Sequence, residues 1–297
     1  MHQLLTPNVR EELERSIHFA PLHIPTALTL VEETEKAFPK IPQFACFDTA
    51  FHRNLPETTA RFALPENLFQ EGVRRYGFHG LSYESILYAL GENAPKRIVI
   101  AHLGNGASLA AIKESQSVDT TMGFTPTGGI PMSTRSGDLD PGVILYLLRN
   151  KQMNPEGLET LLNRYSGLVG LSGNTSDMRE LEAQAEQGKN RAQLAVRMFS
   201  VAIQKTIGAY AALLGGIDLL VFTGGIGEHD FRLRALVCAE LDFLGIHLDI
   251  SRNAANESVI SRDCARCTVQ VLPAQEDLQI ARHCRALMSR PAGVLVA

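Results

Sequence analysis

Arg135 stands in Thr134-Arg135-Ser136-Gly137-Asp138-Leu139-Asp140-Pro141, shortly after Gly128-Gly129 and Pro131. A guanidinium on a glycine-flanked loop suits two-pronged contact with a phosphate. A second basic group, Arg74-Arg75-Tyr76-Gly77-Phe78-His79-Gly80, sets three potential cations around two glycines. There the backbone can approach closely, and His79 or an arginine could stabilise negative charge on a transferring phosphoryl group. Asp48 closes the strand-like run Gln43–Phe47 at its carboxyl end, where open α/β sheets place ligand-binding groups. It could orient the phosphoryl acceptor or metal-bound water. Equally, it could turn or cap the chain entering Thr49–His52.

Two glycine-rich segments offer backbone amides to an anion. His102-Leu103-Gly104-Asn105-Gly106 follows the apolar run Ile98–Ala101 directly. A strand running into Gly-x-Gly suits phosphate cradling, although Asn-Gly also makes hairpin turns and Ser108–Ile112 reads as a returning strand. The third glycine of a dinucleotide fingerprint and the Gly-Lys-Ser/Thr of a P-loop are both missing. Thr223-Gly224-Gly225-Ile226-Gly227-Glu228 ends the run Leu219–Phe222 and precedes a helix, a second junction suited to nucleotide contact.

Other polar residues have plainer explanations. Asp140 before Pro141 reads as a helix cap, while Asp138 stays open between metal ligand and turn. Arg179, in the first turn after Asp177-Met178, opposes the helix dipole and hints at a bound anion. Glu276-Asp277 begins the last helix, where acids are at home. Cys264-Ala265-Arg266-Cys267 has zinc-like spacing without a second pair, so it is read as structural.

The elements that must position these groups alternate between short apolar strands (Gln43–Phe47, Arg97–Leu103, Asp218–Phe222, Val269–Leu272) and amphipathic helices. Pro25–Phe38 and Ser82–Leu90 are two such helices. Val196, Phe199, Ile203, Ile207, Tyr210 and Leu214 recur at three- and four-residue spacing and predict one face of a long helix, stopped by Gly215-Gly216. The class is α/β.

With 297 residues, 45% hydrophobic and 20% charged, the chain can bury cores in about two domains. A net charge of −4 without Lys/Arg runs argues against nucleic acid or a membrane surface as partner. The longest apolar helical stretch is broken by Arg197, Gln204 and Lys205, too polar to span a bilayer. The first residues lack the basic start and apolar core of a signal peptide. Five scattered cysteines fit a reducing cytoplasm.

In this order, Phe47–His52, Arg74–Gly80, His102–Gly106 and Thr134–Asp138 resemble the acetate kinase family, from about Phe19-Ala20-Pro21-Leu22-His23 to the final helix. The resemblance implies the two-lobed fold of actin-like ATPases, related to ribonuclease H and shared by acetate and sugar kinases. It implies reversible, ATP-dependent phosphorylation of acetate or propionate. By position, Asp48, His79 and Arg135 resemble the catalytic carboxylate, histidine and arginine. Phe78 and Pro126 resemble residues of the small acyl pocket. His102, Leu103, Gly104, Asn105 and Gly106 resemble the ATP phosphate loop. Asp177, Met178 and Arg179 resemble the segment beside adenosine, and Gly224, Gly225, Ile226, Gly227 and Glu228 the second nucleotide loop. Glu276 resembles the glutamate linked to Mg²⁺.

His229 departs from the asparagine usual after Gly-Ile-Gly-Glu. The family's opening Ser-rich loop, Asn-x-Gly-Ser-Ser-Ser, and a His-Arg-x-Val-His-Gly-Gly segment have no counterpart, on the order of 100 residues. The expected organisation is therefore 1–50 as the remnant of an incomplete N-terminal lobe, completed by a C-terminal helix 278–297, with 51–277 as the second nucleotide-binding lobe. Gln43–Phe47 is expected without its usual strand neighbours. Alternatives are a non-catalytic fragment, one half of a split enzyme joined by a separate N-terminal lobe, or a kinase for a longer acid such as butyrate. The family also implies a homodimer.

Overall fold

A computed structural model describes residues 1–17 and 24–289. The stretch Phe19–His23 and the 290–297 part of the expected last helix lie outside the described residues. The centre is a five-stranded mixed sheet built from β3 (Arg97–Leu103), β4 (Ala107–Lys113), β5 (Gln116–Thr120), β6 (Leu219–Thr223) and β7 (Thr268–Val271), in the order β5-β4-β3-β6-β7. β3, β4 and β5 form an antiparallel meander, whereas β3, β6 and β7 run parallel. Three parallel strands therefore finish at one edge.

Both faces of the sheet are covered, which explains the near-continuous apolar runs of β3 and β6. Strand alternation sorts their side chains. Val99, Ala101, Leu103, Leu109 and Ala111 face one core with Phe199, Ile203 and Ile207 of the long helix Asn190–Leu214. Ile98, Ile100, Ala110 and Ile112 face the other, with Tyr83 and Ile86 of the helix Gly80–Leu90. The expected helical face from Val196 to Leu214 is buried throughout, and Gly215 ends that helix in the left-handed conformation. Truncating Phe199, fully buried, to Ala would cost about 3–5 kcal/mol.

The same parity positions polar residues. His102 on β3 and Ser108 on β4 are register partners, and both fall on the face of the helix Gly80–Leu90. At the opposite end of the parallel strands, Arg97 and Asp218 form an ion pair that ties β3 to β6.

One expected strand is shorter than its sequence suggested. Only Phe44–Ala45 (β2) is extended, half-buried rather than central, and it pairs antiparallel with Gln3–Leu4 (β1). Gln43–Phe47 thus has a strand neighbour, supplied by the first residues of the chain. The helix Ile24–Ala37 packs beside Pro7–Arg15 and buries no side chain, so its amphipathic pattern finds little core. The last helix, Glu276–Met288, packs against Gly80–Leu90.

Candidate active site

The site lies where β3, β6 and β7 end. Beyond β3, Gly104-Asn105-Gly106 makes the tight turn into β4, with the Gly104 N–H donating to the Gly106 carbonyl at 3.1 Å. Beyond β6, Gly224 takes a left-handed φ of 76°, and a side chain there would strike the Leu103 carbonyl. Glu228 Oε1 accepts from the N–H groups of Gly224 (3.0 Å) and Ala274 (2.9 Å), which ties the β6 loop to the segment after β7.

His79 opens the helix Gly80–Leu90 in a left-handed conformation, φ 58°, that a residue with a side chain adopts only when held. Asp48 holds it. Its Oδ2 accepts from the His79 N–H at 2.6 Å, its Oδ1 from the Leu81 N–H at 3.1 Å, and its carbonyl from the Gly80 N–H at 2.9 Å. Of the two readings of Asp48, capping is therefore realised, on the helix that follows His79 rather than on Thr49–His52. The His79 ring is fixed as well. Its Nδ1 lies 2.8 Å from Ser108 Oγ, which in turn contacts the hydroxyl of fully buried Tyr83. That chain turns Nε2 toward Gly106.

Arg135 reaches the same glycine from a different loop. Its half-buried guanidinium donates to the Pro126 carbonyl at 3.3 Å, and burial lowers its pKa from the usual arginine value. A Cβ placed on Gly106 would lie 3.1 Å from His79 Nε2 and 3.4 Å from Arg135 Nη1. The two basic groups thus meet at one glycine. Met132 and Ser133 anchor the arginine loop: the Ser133 N–H donates to the Asn105 carbonyl at 3.3 Å.

His102 stacks on His79, ring centroids 4.2 Å apart, with Ser82 Oγ 2.8 Å from its Nδ1. Burial, and then the neighbouring His79, pull its pKa down to about 3, so it is neutral at physiological pH. Glu276 behaves oppositely. Burial first, then the charges of Asp48 and Asp277, raise its carboxyl above the usual value.

Two adjoining cavities share Gly104, Asn105 and Gly225. One, of about 450 Å³, reaches His79, His102, Glu228 and Glu276. The other, of about 760 Å³, runs between Asp177, Arg179 and Ile226 and is of a size to take a nucleoside. Together they form one cleft, with His79, His102 and Glu276 at one end and Asp177, Arg179 and Ile226 at the other.

The sequence matches the acetokinase family model over residues 1–282. The chain belongs to the acetokinase family. It is 47% identical over 293 residues to the acetate kinase of Methylocella silvestris, covering 97% of this chain and 72% of that one. The crystal structure of Porphyromonas gingivalis acetate kinase superposes with a TM-score of 0.88 at 42% identity, over 97% of this chain and 74% of that one. A propionate kinase from Francisella tularensis gives 0.90 at 35% identity, over 95% and 74%. The α/β two-lobed, actin-like fold expected from the sequence is the fold of this family.

Within that family fold, the positions assigned from the sequence separate into groups. Asp48, His79, Arg135, His102, Gly104, Asn105, Gly106, Gly224, Gly225, Glu228 and Glu276 gather around one cleft. Phe78 packs at the core edge and Pro126 is buried under Arg135. Leu103 and Met178 turn their side chains into the core, so only their backbone can serve a nucleotide. Arg179, at the wall of the larger cavity, donates its guanidinium to Asp177 Oδ2 at 2.7 Å, and that bond drops the Asp177 pKa to about 2. Asp138 is a turn former, its Oδ1 accepting from the Gly129 N–H at 2.7 Å. Asp140 caps Pro141–Asn150 as expected.

Sequence reasoning missed three supports. His52 is buried between Ser117 Oγ (2.7 Å) and the Phe78 carbonyl (3.2 Å), which fixes the backbone just before His79. Burial lowers its pKa to about 4. Tyr83 and Ser108 complete the His79 chain. Arg234, with no exposed surface, donates to the Gly227 carbonyl at 2.8 Å, the Glu228 carbonyl at 2.9 Å and Asn253 Oδ1 at 2.9 Å, and so fixes the second glycine loop. No local spacing announces such partners, because His52 and Ser117, or Arg234 and Asn253, meet only once the chain has folded.

Proposed function

We propose that this chain catalyses reversible, ATP-dependent phosphorylation of acetate or propionate, giving the acyl phosphate and ADP. The observation that carries it is the meeting of His79 Nε2 and Arg135 Nη1 at Gly106, beside a cleft floored by two glycine loops.

Phosphoryl transfer needs positioning and cancellation of spreading negative charge. The backbone around Gly104–Gly106 and Gly224–Gly225 receives the phosphates, with the adenosine in the cavity beside Asp177 and Ile226. Arg135 and His79 then lie either side of the phosphoryl in flight and share its charge. Asp48 holds His79 in its left-handed conformation, and Phe78 and Pro126 border the small acid. The carboxylates of Glu276, Asp48 and Asp277 are oxygen donors suited to Mg²⁺, which takes most of its shell from phosphate and water. Bound there, the cation would neutralise phosphate charge.

The division into 1–50 with the last helix and 51–277 is proposed on the resemblance, and contact between the last helix and Gly80–Leu90 supports a shared wall. Association with a second copy is supported by exposed Val143, Leu145 and Tyr146 on Pro141–Asn150, a helix that buries nothing in the single chain. Five free thiols fit a cytoplasmic setting. Among the described residues no helix is long and apolar enough to cross a membrane.

The test is purified chain with ATP, Mg²⁺ and acetate, propionate or butyrate in turn. Equimolar ADP and acyl phosphate with the two shorter acids is expected. ADP release that ignores the carboxylate would refute the assignment.

A further inference from the structure

Behind the cleft, three segments bring together a set of donors that phosphoryl transfer does not use. His2 precedes β1, Glu84 lies on the helix Gly80–Leu90, and His283 lies on Glu276–Met288. One ligating atom from each falls within 4.8 Å of the other two. His283 Nε2 is 2.5 Å from Glu84 Oε2, and His2 Nε2 is 3.8 Å from Glu84 Oε1. The two imidazoles lie against each other, centroids 3.9 Å apart. All three side chains are mostly sequestered, with exposures of 11%, 20% and 22% for His2, Glu84 and His283.

Metal ligands must be deprotonated. The donor set is therefore two imidazole nitrogens and one carboxylate. That set selects zinc and similar borderline cations, in contrast to the carboxylates of Glu276, Asp48 and Asp277, which suit Mg²⁺. Three protein donors leave a position for water.

Two existing contacts compete, the first being Gln279 Nε2 at 3.1 Å from His283 Nε2. In the second, the Phe47 N–H donates to His2 Nδ1 at 3.0 Å, which places the ring proton on Nε2. A cation at Nε2 would displace that proton and give up this hydrogen bond. A single neutral hydrogen bond is worth far less than a metal–imidazole bond, so the cation wins.

We propose that His2, Glu84 and His283 form a binding site for one divalent transition metal of the zinc class. The ion would clamp β1 and the last helix onto the helix whose first residue follows His79. It braces the wall of the cleft from behind and takes no part in the reaction.

The experiment uses the full chain without an affinity tag of histidines, dialysed against ZnCl₂ or CoCl₂ with Mg²⁺ in large excess. Metal content per chain, the visible absorption of the Co²⁺ form and Tm are measured. One ion per chain, a Co²⁺ spectrum of low coordination number and a raised Tm are expected. Since losing even an outer-sphere partner costs about 10–100-fold in affinity, Glu84→Gln and His283→Ala should each weaken binding by about 100-fold or more. His2→Ala, outside any helix or strand, gives the same loss. Parent protein that retains no zinc or cobalt overturns the proposal. So does retention of the ion by all three variants, which would locate it elsewhere.

Discussion

His79 Nε2 and Arg135 Nη1 approach the same face of Gly106, the first from the start of a helix capped by Asp48 and the second from a loop anchored on Asn105. Neither residue could find that point alone. The β3–β4 turn supplies the bare backbone between them.

A methyl group at that point separates site geometry from stability. Gly106→Ala puts its Cβ 3.1 Å from His79 Nε2 and 3.4 Å from Arg135 Nη1. The His79 ring must give by a few tenths of an ångström, and since a displacement near 1 Å costs about 10²-fold in rate, a loss of about 3–10-fold follows. A kcat lowered to that degree is expected while Tm moves little. Unchanged turnover would show that the gap between the two groups is not where charge develops.

Tyr83→Phe removes the hydroxyl behind Ser108 and keeps the ring packed in its core. The loss of a buried hydrogen bond should cost about 1–2 kcal/mol of stability. The His79 ring also loses its fixed orientation, so kcat should fall while the KM for ATP stays put. A variant with parental kcat would reduce Tyr83 to packing.

Acid should weaken the fold before carboxylates titrate. The folded pKa values of His52 (about 4) and His102 (about 3) lie below the unfolded imidazole value, so the unfolded chain binds protons first. Their stabilising contribution is whole above about pH 6.5 and falls as pH drops, by about 1.4 kcal/mol per pH unit for each ring. Tm measured between pH 7.5 and 5 should decline, and His52→Gln should flatten the slope. An identical slope in the variant would contradict the buried neutral state.

Arg234→Met strips donors from two carbonyls of the second glycine loop and from Asn253. Buried acceptors left unpaired cost about 1–3 kcal/mol each, so a loss of about 3 kcal/mol is expected in denaturant unfolding. A loss under about 1 kcal/mol would mean that water or a rearranged loop replaces the guanidinium.

Much of this was legible in the residues. The Ile98–Ala101 run into Gly104-Asn105-Gly106 carried both strand and turn, and Asp140-Pro141 carried its own cap. Local chemistry decides such features. What escaped were effects of distant pairing. β2 needs Gln3–Leu4, far earlier in the chain, and no pattern within Gln43–Phe47 shows that partner. Nothing local marks Arg234 as a support: Asn253 and the Gly227 carbonyl reach it only in the folded chain. Arg179 has its partner two residues away, so the charge that opposes the helix dipole meets the carboxylate of the cap.

The most direct test of charge sharing between Arg135 and His79 is single-turnover phosphoryl transfer to acetate by Arg135→Ala, with ATP and Mg²⁺ saturating. An arginine that clamps the phosphoryl in flight is worth about 10³-fold or more. A fall of that size is predicted, with nucleotide affinity nearly intact. A rate within a few-fold of the parent would contradict it.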